Sequence, residues 1–239
     1  MRQNERLDYL IREYLKENEE YRDTKIPETE AEKRKLLRTL MSVRPAKEMD
    51  PKMLEVQNEY LSGIVLEKGI VNPEDIPTVF EIGSVHPFAG KLAIWKGDIT
   101  RLACDAIVNS RDPWMTGSAD PNHLSVDNSI QTYAGAELRL AFAEESAKQK
   151  ERFGEDCEQP LLTRAYNLPA SHVIHIAGPK VSGEVTEDEC NALADCYRNV
   201  LEMCREHGFR TVAFPCISAG HFRFPKQQAA ETAVNTVTE

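Results

Sequence analysis

Four polar or glycine-containing segments follow predicted β-strands, at residues 97–100, 109–112, 117–128 and 218–222. Open α/β sheets bind ligands at the carboxyl ends of their strands, so segments in these places indicate a ligand site built from loops. The small residues at 218–220 could hold a phosphate with their backbone amides, and Phe222 could stack on a ring. A small-residue turn alone is more often only a turn, so the ligand site is indicated by the four segments together, in one ordered array.

The elements that must position these segments are short β-rich runs alternating with amphipathic helices from about residue 91 onward. The runs cover 92–95, 106–108, 173–176 and 212–214, and helices are predicted at 130–147, at 187–206 and from about Pro225. The helix at 187–206 has the strongest signals, because Thr186 and Glu189 form a capping box and Gly208 stands where a C-terminal cap belongs. This alternation predicts an α/β fold, a three-layer α/β/α sandwich with a mixed central sheet.

Residues 1–87 carry helical periodicity and dense charge but little strand signal, which predicts a helical N-terminal extension before a domain at 88–239. The first helix has one apolar stripe, formed by Leu7, Leu10, Ile11, Tyr14 and Leu15. That stripe either packs back on the domain or engages a partner helix. After a polar connector at 22–35, a short helix is predicted around 36–41. Asp50 followed by Pro51 predicts the start of a third helix, which runs to about residue 66.

The composition of the 239 residues excludes several classes of protein. With 29 basic and 39 acidic side chains the net charge is −10, and without a concentrated basic patch such a surface repels nucleic acid. No run approaches the roughly 20 apolar residues of a membrane helix, and the N-terminus is too charged for a signal peptide. The six cysteines show no CxxC pair or disulfide-like spacing. We therefore expect a cytoplasmic protein with reduced thiols that binds neither nucleic acid nor membrane.

Together the motifs resemble the macrodomain family from about residue 91 to the C-terminus. The matching runs are Gly-Asp-Ile-Thr at 97–100, the Asn109 segment, Val-Asp-Asn at 126–128, Tyr-Ala-Gly at 133–135, Tyr-Asn-Leu-Pro at 166–169, Val-Ile-His at 173–175 and the residues at 216–222. The helical N-terminal extension and the Cys-Ile-Ser run at 216–218 resemble those of the zinc-containing bacterial macrodomains that remove ADP-ribose from proteins. Macrodomains of this type are sometimes encoded beside a sirtuin-type ADP-ribosyltransferase. The fold usually continues with another strand and helix, so the resemblance also implies a C-terminal truncation or an unprotected sheet edge.

The resemblance implies that ADP-ribose, free or on a modified protein, is the ligand. Asp98 would accept a hydrogen bond from the adenine amino group with the Ile99 backbone beside it, unless the carboxylate only caps a helix. The pyrophosphate would be wrapped by the backbone amides of Ser218, Ala219, Gly220 and His221. Phe222 would then pack near the distal ribose.

Three further positions match polar residues of the family. Asn109 and Asp112 stand at the first and last asparagines of its Asn-Ala-Ala-Asn run, and Asp127 matches the aspartate that orients the ribose or the attacking water. Asn128 would be a further ligand contact. Asp112 departs from the family because it accepts hydrogen bonds but cannot donate them, and its charge near a pyrophosphate could be offset by Arg111. The resemblance therefore implies Asp127 and Asp112 as the catalytic residues.

The largest departure from the zinc-containing relatives lies at 117–128. Their loop supplies two cysteines and one histidine as zinc ligands, whereas the matching positions here are Ser118, His123 and Ser125. A serine hydroxyl does not replace a thiolate, because its pKa is too high and its oxygen too hard a donor. We therefore expect no zinc and no other cofactor, with His123 as the remnant of the site. An ion held by Asp120 and Asp127 beside His123 is the alternative.

Three functions fit these residues. The first is a module that binds ADP-ribose with weak or absent zinc-dependent turnover, which the serines at the zinc positions favour. The second is an active, metal-independent ADP-ribosyl hydrolase in which Asp127 activates water at the anomeric carbon of the distal ribose. The third is a scaffold domain that binds no ligand and uses the stripe at 7–15 for assembly. Binding of ADP-ribose separates the third function from the others, and turnover separates the first from the second.

Overall fold

The computed structural model describes residues 1–111, 125–154 and 159–239. Two compact units alternate along the chain. The helical unit draws on Met1–Gly69, Asp112–Cys157 and Thr163–Leu168, and the sheet unit on Ile70–Arg111, Glu158–Leu162 and Pro169–Glu239. Four positions singled out in the sequence lie outside the described residues: Asp112, Ser118, Asp120 and His123. The predicted boundary between 1–87 and 88–239 stays a prediction.

The helical unit is built on a cluster of buried side chains from its N-terminal helices. Its helices are α1 (Gln3–Glu17), α2 (Glu30–Val43), α3 (Pro51–Lys68), α4 (Val126–Ala134) and α5 (Ala136–Phe153). The predicted stripe on α1 is buried among residues of α2 and α3, and Leu10 and Ile11 are 0% exposed. The stripe is therefore part of a core and is not available to a partner helix.

The starts of α2 and α3 follow from their caps. The Asp50 carboxylate accepts hydrogen bonds from the backbone amides of Lys52 and Met53, so the predicted start of α3 is confirmed. The prediction of a connector through residue 35 is wrong, since α2 begins at Glu30. The Thr29 hydroxyl caps it by accepting from the Glu32 amide, and this short polar signal precedes the apolar residues on which the prediction was based.

The single helix predicted at 130–147 is two helices, α4 and α5, separated at Gly135. This glycine has φ +93°, a left-handed conformation that a side chain would strain. A Cβ at this position would also lie 2.9 Å from Gln57 Nε2. The chain therefore needs glycine here to change direction against the buried part of α3.

Among the described residues, the sheet has four strands in the order β2-β3-β1-β4. They are β1 (Ala106–Ser110), β2 (Leu161–Arg164), β3 (His172–Ile176) and β4 (Val212–Ala213), and β1 runs parallel to both β3 and β4. Three predicted strands are confirmed, β2 was missed, and the strand predicted at 92–95 is wrong. Among the described residues this segment makes one isolated bridge, between Ala93 and Thr78, and Ile94 is 79% exposed. A β-rich pattern forms a strand only where a neighbour supplies backbone partners.

Two helices complete the sheet unit, α6 (Glu187–Glu206) and α7 (Lys226–Val237). The bounds of α6 and its capping box are confirmed, with the Thr186 hydroxyl accepting from the Glu189 amide at 3.2 Å. The cysteines of α6 form no disulfide among the described residues, and Cys196 and Cys204 are buried in the core of the unit. In the described parts of the chain, no helix is both long enough and apolar enough to span a membrane.

A buried polar pair lies in the centre of the sheet. Asn109 of β1 is in register with His175 of β3, and both residues are 0% exposed. Asn109 Nδ2 lies 3.2 Å from His175 Nδ1, so an amide that donates here requires an unprotonated ring nitrogen. Burial, with a smaller effect from the positive charge of Arg111, lowers the pKa of His175 to about 3. The imidazole is therefore neutral and serves as a hydrogen-bond acceptor inside the sheet.

We expect Leu10→Ala to lower the free energy of unfolding by about 2–5 kcal/mol, because the lost side chain leaves a cavity in the buried cluster of α1–α3. Urea unfolding measures the change. The matched control is Leu66→Ala on α3, where the side chain is 73% exposed and the change should stay within about 0.5 kcal/mol. Equal effects of the two substitutions would contradict the packing described for α1.

We expect His175 to make the fold less stable as the pH falls below about 6.5. The folded pKa is depressed, so the unfolded chain binds the extra proton, and the contribution of His175 is present above the unfolded pKa and lost towards pH 3. Between pH 7 and pH 5 the free energy of unfolding should fall by about 2 kcal/mol more in the wild type than in His175→Gln. Urea unfolding at the two pH values checks this, and parallel curves would contradict it.

Candidate functional site

Asp98 is half-buried at the start of a single helical turn, Ile99–Arg101. Its Oδ1 accepts from the Thr100 amide at 3.0 Å and from the Thr100 hydroxyl at 2.6 Å. The capping role considered from the sequence is therefore present. A carboxylate has two oxygens and about four acceptor positions, so capping by Oδ1 does not exhaust what Asp98 can accept.

The small-residue segment after β4 forms a compact turn held from both ends. The Phe224 amide donates to the Ser218 carbonyl at 3.0 Å, and the Arg223 amide donates to the Gly220 carbonyl at 3.0 Å. Ser218 takes a left-handed φ of +59°, and Phe224 anchors the turn with 1% exposure. The turn is thus fixed by its own backbone and by one core aromatic residue.

Two backbone amides of this turn are candidates for binding an anion. Gly220 and His221 are exposed and Phe222 is half-buried. Within the described residues, the amides of Gly220 and Phe222 donate to no backbone carbonyl. Turn amides without backbone partners are donors of the kind that bind phosphate in glycine-rich loops. Gly178 permits the close approach of the neighbouring segment, because a Cβ there would collide with Ser218 and Ile217.

At the end of β1 the structure brings Asn109, Arg111 and His175 together. The Arg111 amide donates to the Ile176 carbonyl at 3.0 Å, which continues the pairing of β1 with β3. Asn109 lies wholly inside the sheet beside His175, and its predicted contact with a ligand stays a prediction. The sequence placed His175 in a family-like run but gave no signal that it contacts Asn109, because the pairing register of two strands is not a local property.

Asp127 lies in the first turn of α4 and is half-buried. The Ser125 hydroxyl caps this helix by accepting from the Asn128 amide at 3.0 Å. Asp127 also interacts electrostatically with Arg139 of α5: burial lowers the pKa of Arg139, and the negative charge of Asp127 opposes that shift. A carboxylate near a helix N-terminus is stabilised by the helix dipole.

The side chain of Asn128 contacts α2. Its Oδ1 accepts from Arg38 Nη2 at 3.0 Å, its Nδ2 donates to Ser42 Oγ at 2.9 Å, and the residue is 6% exposed. The sequence did not identify Arg38 or Ser42 as part of the site. The available signal was an arginine between the apolar residues of α2, where a solvated side chain is the usual interpretation.

Of the three positions that the resemblance matches to zinc ligands, Ser125 is the one that the structure describes. Ser125 uses its hydroxyl to cap α4, and a serine oxygen is a poor zinc ligand in any case. Ser118 and His123 lie outside the described residues. Among the residues that the structure describes, no group of three His, Cys, Asp or Glu side chains is placed to hold a metal ion.

Comparison with known proteins adds sequence relatives and related structures. A protein-ADP-ribose hydrolase from Treponema medium is 40% identical over 239 residues, which is 100% of this chain and 89% of the relative. The macro domain of ganglioside-induced differentiation-associated protein 2 aligns with a TM-score of 0.57 and 28% identity, over 70% of this chain and 80% of that chain. The Oceanobacillus iheyensis macrodomain with ADP aligns with a TM-score of 0.52 and 30% identity, over 59% and 72% of the two chains.

These likenesses confirm the predicted α/β fold class with its helical N-terminal region. The Macro domain family matches residues 102–233, which is more than half of the sequence. This segment contains β1 to β4, the turn after β4 and the Asp127 helix. The chain therefore belongs to the Macro domain family.

Proposed function

We propose that this protein binds ADP-ribose and releases it from modified proteins by hydrolysis that does not use zinc. The observation that carries the proposal is Asp127, a half-buried carboxylate held at the capped start of α4. The relative from Treponema medium, which matches the whole chain, is named a protein-ADP-ribose hydrolase. Its activity supports the proposal by similarity.

Three groups of the chain would contact ADP-ribose: two backbone amides and one carboxylate. The amides of Gly220 and Phe222 would donate to the pyrophosphate, a use supported by their lack of backbone acceptors among the described residues. Asp98 would accept from the adenine amino group with the oxygen that does not cap the turn. The ligand of the Oceanobacillus iheyensis macrodomain is ADP, which carries the same adenine and pyrophosphate.

In the reaction, Asp127 would orient a water molecule and accept its proton as it attacks the anomeric carbon of the distal ribose. The bond from that carbon to the side chain of the modified protein breaks, and its electron pair stays with the departing side chain. A proton then moves to that side chain, which leaves ADP-ribose and the unmodified protein as products. A positioned carboxylate that acts in this way contributes about 10²–10⁴-fold to a rate.

A second candidate is a protein that binds ADP-ribose without cleaving it. The observation that favours it is Ser125, whose hydroxyl caps a helix where the zinc-containing relatives supply a metal ligand. If turnover in this family depended on zinc, binding would survive here and hydrolysis would not. Assignment to the zinc-containing, sirtuin-linked type and a cytoplasmic location stay predictions.

We expect Asp98→Ala to weaken ADP-ribose binding by roughly 1.5–3 kcal/mol, because it removes a charged acceptor from the adenine. Isothermal titration calorimetry measures the affinity. The matched control is Thr100→Val, which removes the hydroxyl that donates to Asp98 Oδ1 but leaves the carboxylate. Unchanged affinity in Asp98→Ala would place the adenine elsewhere.

We expect Asp127→Asn to lower kcat for release of ADP-ribose by at least about 10²-fold, since an amide does not accept the proton of the attacking water. ADP-ribose affinity should change less than threefold. The assay follows ADP-ribose released from an ADP-ribosylated protein, and a chelator should leave the wild-type rate unchanged. Binding without turnover in the wild type would favour the second candidate, and no binding at millimolar ADP-ribose would contradict both.

A further inference from the structure

Arg38 of α2 contacts the helix that carries Asp127. Its Nη2 donates to Asn128 Oδ1 at 3.0 Å and to Ser129 Oγ at 3.1 Å. Its guanidinium carbon lies 5.5 Å from the centre of the Tyr133 ring. We propose that Arg38 is a positioning residue, which fixes the first turn of α4 and thereby sets the orientation of Asp127; this inference rests on the proposed function.

Asn128 connects the start of α4 to Arg38 and Ser42 of α2. Its side-chain oxygen accepts from Arg38, its side-chain nitrogen donates to Ser42, and its backbone amide donates to Ser125. With 6% exposure, its amide group faces α2. The direct ligand contact that the resemblance implied for Asn128 stays a prediction.

The chemistry of Arg38 explains why this position needs an arginine. A planar guanidinium presents several donors in fixed directions, so one side chain holds Asn128 and Ser129 together and also faces the ring of Tyr133. Lysine has a single charged nitrogen at the end of a flexible chain and does not reproduce this geometry. Arg38 therefore spans the first two turns of α4.

The end of α2 is fixed in turn by α5. Arg139 Nη1 donates to the Ser42 carbonyl at 2.7 Å and to the Arg44 carbonyl at 2.6 Å, which satisfies two carbonyl groups at the C-terminus of α2. Arg139 also attracts Asp127 electrostatically. The turn that carries Asp127 is therefore tied to α2 through Asn128 and linked to α5 through charge.

A small displacement of this turn should reduce turnover more than binding. A catalytic group misplaced by about 1 Å can cost about 10²-fold in rate. The adenine and pyrophosphate contacts proposed above use Asp98, Gly220 and Phe222 and involve neither Arg38 nor α4. Loss of the Arg38 contacts should therefore lower kcat and leave the affinity for ADP-ribose nearly unchanged.

The test compares Arg38→Met and Arg38→Lys with Arg34→Met. Arg34 lies one turn earlier on α2 and pairs with Glu30 and Glu67, so it is a matched arginine without a bond to α4. We expect both Arg38 variants to lose about 10- to 100-fold in kcat with less than threefold change in KM and in ADP-ribose affinity. Arg34→Met should retain wild-type kcat.

Hydrogen exchange of the same full-length proteins provides a readout that does not need turnover. Amides of 126–134 should exchange at least tenfold faster in Arg38→Met than in the wild type, while those of α6 should not change. If Arg38→Met does not fold, Ser42→Ala removes one bond to Asn128 and should give the same changes at smaller size.

The outcomes separate the two proposals. Unchanged kcat and unchanged exchange in the Arg38 variants would overturn the positioning role. An equal loss of kcat in Arg34→Met would also overturn it, because the effect would then follow from loss of any arginine on α2. A wild type that binds ADP-ribose without turnover would overturn the proposed hydrolysis and the effect on kcat, while exchange would still decide whether Arg38 holds α4.

Discussion

The central strand β1 imposes the strongest constraint on the sheet unit, because it has neighbours on both edges and its residues from Ala106 to Asn109 are all buried. A buried amide without partners would cost free energy, so the polar Asn109 requires a partner inside the sheet. His175 supplies it from the paired position of β3. The pairing also restricts register, since a shift by one residue would turn Asn109 and His175 to opposite faces.

In the helical unit, arginine side chains make the hydrogen bonds that groups removed from water require. Arg44 is 5% exposed and pairs with Glu17, and its guanidinium also donates to the carbonyls of Lys47 and Glu48. Arg139 donates to carbonyl groups at the end of α2. Buried charges remain tolerable where each is hydrogen-bonded in this way. The unit therefore combines an apolar cluster from α1, α2 and α3 with a polar part that fixes helix ends.

Local signals explain how much could be predicted from the sequence. The capping box at Thr186 and the proline after Asp50 act within a few residues, so the starts of α6 and α3 were predictable. The prediction of a strand at 92–95 was wrong and β2 was missed, because strands depend on backbone partners that are distant in the sequence. Asp98 and Ser218 were singled out through family-like motifs, and their ligand contacts stay predictions. The contact of Arg38 with Asn128 spans 90 positions of the chain, and no local pattern predicts it.

The start of α4 depends on the hydroxyl of Ser125 as its cap. The hydroxyl that accepts from the Asn128 amide stabilises the helix start, and loss of such a cap typically costs about 0.5–2 kcal/mol. A cysteine at this position would supply a metal ligand but only a weakly accepting sulfur for the cap. The start of α4, and with it the position of Asp127, therefore depends on a hydroxyl at residue 125, which a thiol would replace only at a cost in helix stability.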